Sequence, residues 1–134
     1  MPRLVFTAKL ENLLAMMRLI TEQAQAVGFE EKKINQIQLA AEEVLANVIN
    51  YAYPDKSGEV EINLTPEPSK QLEIEISDSG IAFNPLDLPE PDISAPMEKR
   101  QIGGLGVYLL RKLMDEVRYK REGERNILTF IKKV

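Results

Sequence analysis

The 134-residue sequence contains no cysteine and no histidine. Without cysteine there is no disulfide framework and no thiolate metal site, a composition that fits a reducing compartment. Without histidine there is no Ser-His-Asp triad, no histidine-ligated zinc and no phospho-accepting histidine on this chain. Acid–base work must fall to carboxylates, lysine or tyrosine. No apolar run reaches the roughly 18 residues that a membrane span needs, and the start, Met1-Pro2-Arg3, lacks the apolar core of a signal peptide. A cytoplasmic protein without membrane association is expected. A groove for duplex nucleic acid needs a basic surplus; the net charge is −4, so nucleic acid is not an expected partner.

What is present is ordinary for a globular domain: 44% apolar and 28% charged residues. The length predicts a single domain over residues 1–134, burying roughly two-thirds of its unfolded surface. Residues 4–9 alternate weakly and predict a first strand. Leu13, Leu14, Met17, Ile20 and Ala24 recur at helical spacing, and Gly28 stands where a C′ glycine would end that helix. A second helical pattern runs from about Glu30 to Tyr53 and stops at Pro54. Val60, Ile62 and Leu64, then Leu72, Ile74 and Ile76, predict two half-buried strands joined as a hairpin. Residues 81–102 lose periodicity and carry four prolines; a loop this long within a compact domain is usually functional or disordered. A third helix is expected from about Gly104 to Glu116, then strands near 117–121 and 126–132. The fold class expected is α+β: a two-layer sandwich of a mostly antiparallel mixed sheet with three helices on one face. The last seventeen residues are locally basic, which reads first as the solvated face of edge strands and second as a surface for an acidic partner.

Three short patterns carry possible chemistry. Glu43, Asn47 and Asn50 stand at i, i+4 and i+7, which places them on one stripe of the second helix. An amide oxygen on Asn47 is a hard ligand suited to Mg²⁺, and Glu43 could take a proton from a hydroxyl or water. Taken alone they are ordinary exposed helix polars. Asp78-Ser79-Gly80 follows a strand; it is either a plain turn or a carboxylate at a pocket base that accepts from an exocyclic amine, with Gly80 allowing close approach of the ring. Gly103, Gly104, Leu105 and Gly106 precede the third helix, where backbone N–H groups and the helix dipole favour an anion. The conjunction and order of the three say more than any one of them.

In that order they resemble the N, G1 and G2 boxes of the gyrase, histidine kinase and MutL superfamily, whose ATP-binding domain has the Bergerat fold. The segments AAEEVLANVINYAYP, DSGIAFNPLDLP and GGLGVYLLRKLMDEVRY are similar to the stand-alone serine-protein kinases that act as bacterial anti-sigma factors, over roughly residues 5–133. The resemblance implies ATP and Mg²⁺ as cofactors. It implies Glu43 as general base and Asn47 as Mg²⁺ ligand. Nucleotide contacts are implied at Asn47, Asn50, Asp78, Gly80, Ile81, Gly103, Gly104, Leu105, Gly106 and Val107, with residues from about 84 to 102 as the ATP lid. It also implies an anti-sigma-factor antagonist as protein substrate, a sigma factor as second partner, and a homodimer. The chain departs from the family pattern where Ala82 and Phe83 follow Ile81, where Tyr51 follows the first box, and where Arg125-Asn126 replaces a Gly-Thr pair. Asn126 could still donate a hydrogen bond.

The expected function is therefore an ATP-dependent serine/threonine protein kinase and anti-sigma regulatory factor. Two alternatives stand beside it: an ATP-binding partner-switch module without kinase activity, and a detached histidine-kinase catalytic domain serving a separate phosphotransfer protein.

Overall fold

The computed structural model describes residues 3–54, 56–82 and 110–134. Five strands, β1 (Arg3–Thr7), β2 (Glu59–Glu67), β3 (Gln71–Asp78), β4 (Glu116–Glu122) and β5 (Arg125–Lys133), form one sheet in the order β1-β2-β3-β5-β4. Every pairing among them is antiparallel, so no parallel pair makes the described sheet mixed. Helices α1 (Leu13–Val27) and α2 (Glu31–Asn47) pack on each other, and α1 packs on β2 and β3. Residues 110–113 are the described end of a third helix, α3.

The expected elements appear, with local differences at their ends. The first helical pattern opens as a 3-10 turn, Leu10–Asn12, and α1 ends at Gly28 with φ of 100°, the left-handed conformation that glycine adopts most cheaply. The second pattern is not one regular helix: after Asn47 the chain takes a π-helical turn over Val48–Ala52. The third helix ends earlier than its pattern suggested, because Glu116 already belongs to β4. Leu14 faces solvent rather than the core, whereas Met16, Ile20, Ala24 and Val27 form the buried stripe of α1.

Strand alternation sets the two faces of the sheet. Val60, Ile62 and Leu64 of β2, Leu72, Ile74 and Ile76 of β3, and Leu128 and Phe130 of β5 are buried in one cluster with Ile37, Ala40, Ala41, Val44 and Leu45 of α2. A fully buried Leu, Ile or Phe contributes about 1.5–3 kcal/mol, so this cluster is the main source of stability. Ala40 and Ala41, wholly buried, keep α2 slim where it meets its neighbours.

The other face is polar and ionically paired. Arg3 Nη2 lies 2.6 Å from Glu61 Oε1, and Arg125 Nη2 lies 3.3 Å from Glu61 Oε2. Arg125 also donates to Ser77 Oγ at 2.6 Å. Arg118 pairs with Glu73, and Lys120 with Glu122. Three of the six C-terminal basic residues, Arg118, Lys120 and Arg125, thus pair with carboxylates of the sheet, in keeping with a solvated strand face. Lys132 differs: it is buried and donates to the Leu113 carbonyl at the end of α3. Burial pulls its pKa below the usual lysine value.

Candidate functional site

One cavity lies between α2 and the inner face of the sheet. Its walls include Glu43, Val44, Asn47 and Val48 from α2, Ile76, Asp78 and Ile81 around the end of β3, and Tyr119, Asn126 and Leu128 from the last hairpin. The structure therefore brings Glu43, Asn47, Asp78 and Ile81 together around one space. Aliphatic side chains share the wall with Glu43 and Asn47 on the helix side and with the hydrogen-bonded set Asp78, Asn126 and Tyr119 on the sheet side.

The helix face arises from the 3.6-residue repeat. Val44 and Val48 are buried against the core, while Glu43 and Asn47 sit half-buried beside them at the cavity edge. Glu42, one residue back, is exposed. Asn50 does not join them: it is exposed in the π turn and is absent from the cavity wall. The expected i+7 position presumed uninterrupted α-helix, and the wider π turn re-aims the residues after Asn47. Tyr51 lines the cavity instead.

The turn after β3 is held from several sides. Asp78, 7% exposed, accepts from Gly80 N at 2.8 Å and from Asn126 Nδ2 at 3.0 Å, both through Oδ1. Ile81 N donates to Ala52 O at 3.0 Å, and Ser79 N donates to the Tyr53 hydroxyl at 2.8 Å. Tyr53 in turn donates to Glu59 O at 2.5 Å. Burial, with Asp78 nearby, raises the Tyr53 phenol above its usual pKa despite the opposing bonds from Ser79 and Glu59. Arg121 Nη1 donates to Gly80 O at 3.0 Å. Gly80 was expected to open space for a ring. The structure gives a different reason for it: a Cβ here would lie 2.3 Å from Ala52 O and 2.6 Å from Ala52 Cβ. Glycine lets the turn close on the end of the α2 region, and so fixes Asp78 relative to Glu43 and Asn47.

This geometry has a definite chemical shape. Asp78 Oδ1 is used twice, and no described residue hydrogen-bonds Oδ2. A carboxylate with one open acceptor, set among aliphatic walls, suits a flat base with an exocyclic amine. Among the described residues no group of three or more acidic side chains could hold a metal ion. The donor at hand is the Asn47 amide oxygen, which fits Mg²⁺ only in the way that ion usually binds, through few protein ligands with water and phosphate oxygens completing the shell. Gly103, Gly104, Leu105, Gly106, Val107 and the lid segment 84–102 lie outside the described residues.

Tyr119 escaped the motif reading, and Asn126 entered it only as a possible hydrogen-bond donor with no assigned role. Tyr119 and Asn126 are on adjacent strands, and each points to the helix side because of strand alternation. The available signal was Asn126 itself, a polar residue at an inward position in phase with Leu128 and Phe130.

A cavity with the Asp78 carboxylate on the sheet side, Glu43 and Asn47 on the helix side and aliphatic residues between them in the wall suits the nucleotide-binding class of site. The family model described as the histidine kinase-like ATPase domain matches residues 6–132, and the chain belongs to that ATP-binding family. Serine-protein kinase RsbW of Bacillus thuringiensis (strain Al Hakam) is 30% identical over 109 residues, covering 78% of this chain and 68% of the relative. RsbW of Bacillus anthracis (strain A0248) matches to the same extent. Among solved structures, the RsbU and RsbW domains of a Mycobacterium tuberculosis protein superpose with a TM-score of 0.62 at 15% identity, over 98% of this chain and 32% of that chain. A histidine kinase domain from Erythrobacter litoralis superposes at 0.56 with 19% identity, over 89% of this chain and 59% of that one. This chain thus spans about a third of the first solved structure and under two-thirds of the second, and at these identities both bear on the fold alone. Among the described residues no helix is long and apolar enough to cross a membrane.

Proposed function

We propose that this chain is an ATP-dependent serine/threonine protein kinase and anti-sigma regulatory factor, and that its substrate is a small anti-sigma-factor antagonist protein in a partner-switching pathway. The observation that carries the reading is the single cavity in which Glu43, Asn47 and Asp78 meet. The RsbW relatives, named as serine-protein kinases, support the reaction class.

In this reading Asp78 accepts a hydrogen bond from the adenine amine, and Ile81, Val44, Val48, Ile76 and Leu128 flank the ring. Asn47 holds Mg²⁺ through its amide oxygen. The 103–107 and 84–102 segments, outside the described residues, are assigned to phosphate binding and to the ATP lid from the sequence motifs alone. Bound ATP supplies the phosphoryl group, and its metal ion offsets the charge of the phosphates. Glu43 receives the proton of the attacking serine hydroxyl as the hydroxyl oxygen bonds to phosphorus and ADP leaves. Such a site works by positioning and by fixed electrostatics. A sigma factor is the second partner, the working form is a homodimer in the cytoplasm, and residues 1–134 act as one domain.

The test is phosphotransfer. Incubation with MgATP and the antagonist should give acid-stable phosphoserine or phosphothreonine. Glu43→Gln should abolish transfer while leaving nucleotide affinity within a few-fold. Transfer retained in that variant would remove Glu43 from its role. ATP-dependent partner binding without transfer would instead establish a switch module, and acid-labile phosphate on the partner a histidine-directed kinase.

A further inference from the structure

We propose that Tyr119 and Asn126 are positioning residues that set the pocket's preference for a 6-amino purine, by holding Asp78 with one carboxylate oxygen committed and the other open. This rests on the reading of the cavity as an adenine-nucleotide site and deepens it.

Strand order makes the arrangement possible. Asp78 of β3 stands opposite Asn126 of β5, and Asn126 opposite Arg121 of β4, so the three form one rung across the sheet. Tyr119 lies two residues back along β4, on the same face. Its hydroxyl donates to Asn126 Oδ1 at 2.6 Å. The Asn126 amide, 7% exposed, then directs its NH₂ group at two acceptors: Asp78 Oδ1 at 3.0 Å and Ile81 O at 2.7 Å. A flipped amide would set its oxygen against both of these acceptors, so the orientation is dictated by its partners. Tyr119 completes the set by donating to the amide oxygen, which favours the same orientation.

The consequence falls on Asp78. Gly80 N and Asn126 Nδ2 both bond Oδ1. Rotation of the carboxylate would break both bonds together, so Oδ2 is held in place as a fixed acceptor. A fixed acceptor rewards a donor at purine C6 and repels a carbonyl there. If the Tyr119 bond is lost, the amide loosens, the carboxylate can turn, and the reward for the 6-amino group shrinks.

The experiment compares the affinities of ATP and of purine riboside triphosphate, which has hydrogen in place of the 6-amino group, by calorimetry. The proteins are the wild type, Tyr119→Phe and Asn126→Ser. The wild type should prefer ATP about ten-fold or more, as expected for a hydrogen bond to a charged group. In Tyr119→Phe, ATP affinity should fall while purine riboside triphosphate affinity holds, so the ratio moves toward one. Asn126→Ser should move it further in the same direction, and it keeps the test open if Tyr119→Phe does not fold. An unchanged ratio in whichever variant folds, even with both affinities lowered, would mean a merely structural role and overturn the proposal alone. If the folded wild type binds neither nucleotide, the adenine-site reading fails and takes this inference with it.

Discussion

Gly80 and Asn47 show how much of this site turns on single atoms. A Cβ at position 80 would press on the Ala52 carbonyl, which is backbone and cannot swing aside. Gly80→Ala should therefore cost about 1–3 kcal/mol, the range for overpacking, read as a lower denaturation midpoint at unchanged slope. It should also weaken nucleotide binding, because the same shift moves Asp78. Asn47→Ala makes a different prediction. If its amide oxygen holds the metal, Mg²⁺ should strengthen ATP binding to the wild type and no longer strengthen it in the variant, as measured by titration with and without the ion. At this scale the sequence was informative where spacing alone decides the outcome. Glu43 and Asn47 lie one turn apart inside regular helix and emerge together at the cavity. Asn50 lies beyond the onset of the π turn, and no periodicity in VINYA announces that turn. Gly80 was legible as a required glycine but not for its actual reason, since its neighbour Ala52 is 28 residues away in the chain.

At the scale of elements, the alternating strands were the most legible feature. Val60, Ile62, Leu64 and Leu72, Ile74, Ile76 fall on the buried face as the alternation requires. What alternation could not give was the neighbour of each strand. The β3–β5 pairing, which brings Asn126 to Asp78, depends on tertiary order and not on any local pattern. The same pairing builds the ionic cluster on the outer face. Glu61 is partly buried there, which by itself would raise its pKa. Bonds from Arg3 and Asn63, with the charges of Arg3 and Arg125, outweigh that and hold it below the usual 4.5. A carboxyl with a depressed folded pKa contributes stability that is present above about 4.5 and is lost as pH falls through the lower folded value. Glu61→Gln should thus destabilise the protein at neutral pH, and the gap from wild type should close on acidification below that window. Urea denaturation at several pH values measures it. A gap independent of pH would mean that the cluster acts through packing and not through charge.

For the whole molecule, the sheet and helices form a rigid back to the cavity, and the turn from Asp78 to Ile81 is fastened to both layers: to Ala52 and Tyr53 on the helix side, and to Arg121 and Asn126 on the sheet side. A ligand that occupies the cavity bridges those layers. ATP at a hundred times its dissociation constant should stabilise the fold by about 2.7 kcal/mol. For a domain of this size that corresponds to roughly 10 °C in melting temperature, measured by scanning calorimetry. Calorimetric titration of folded wild type and Asp78→Asn with ATP tests the central claim most directly. The account predicts saturable binding to the wild type, weakened about ten-fold or more in the variant, where the open acceptor is lost. No binding up to millimolar ATP, or equal binding to both proteins, would contradict it.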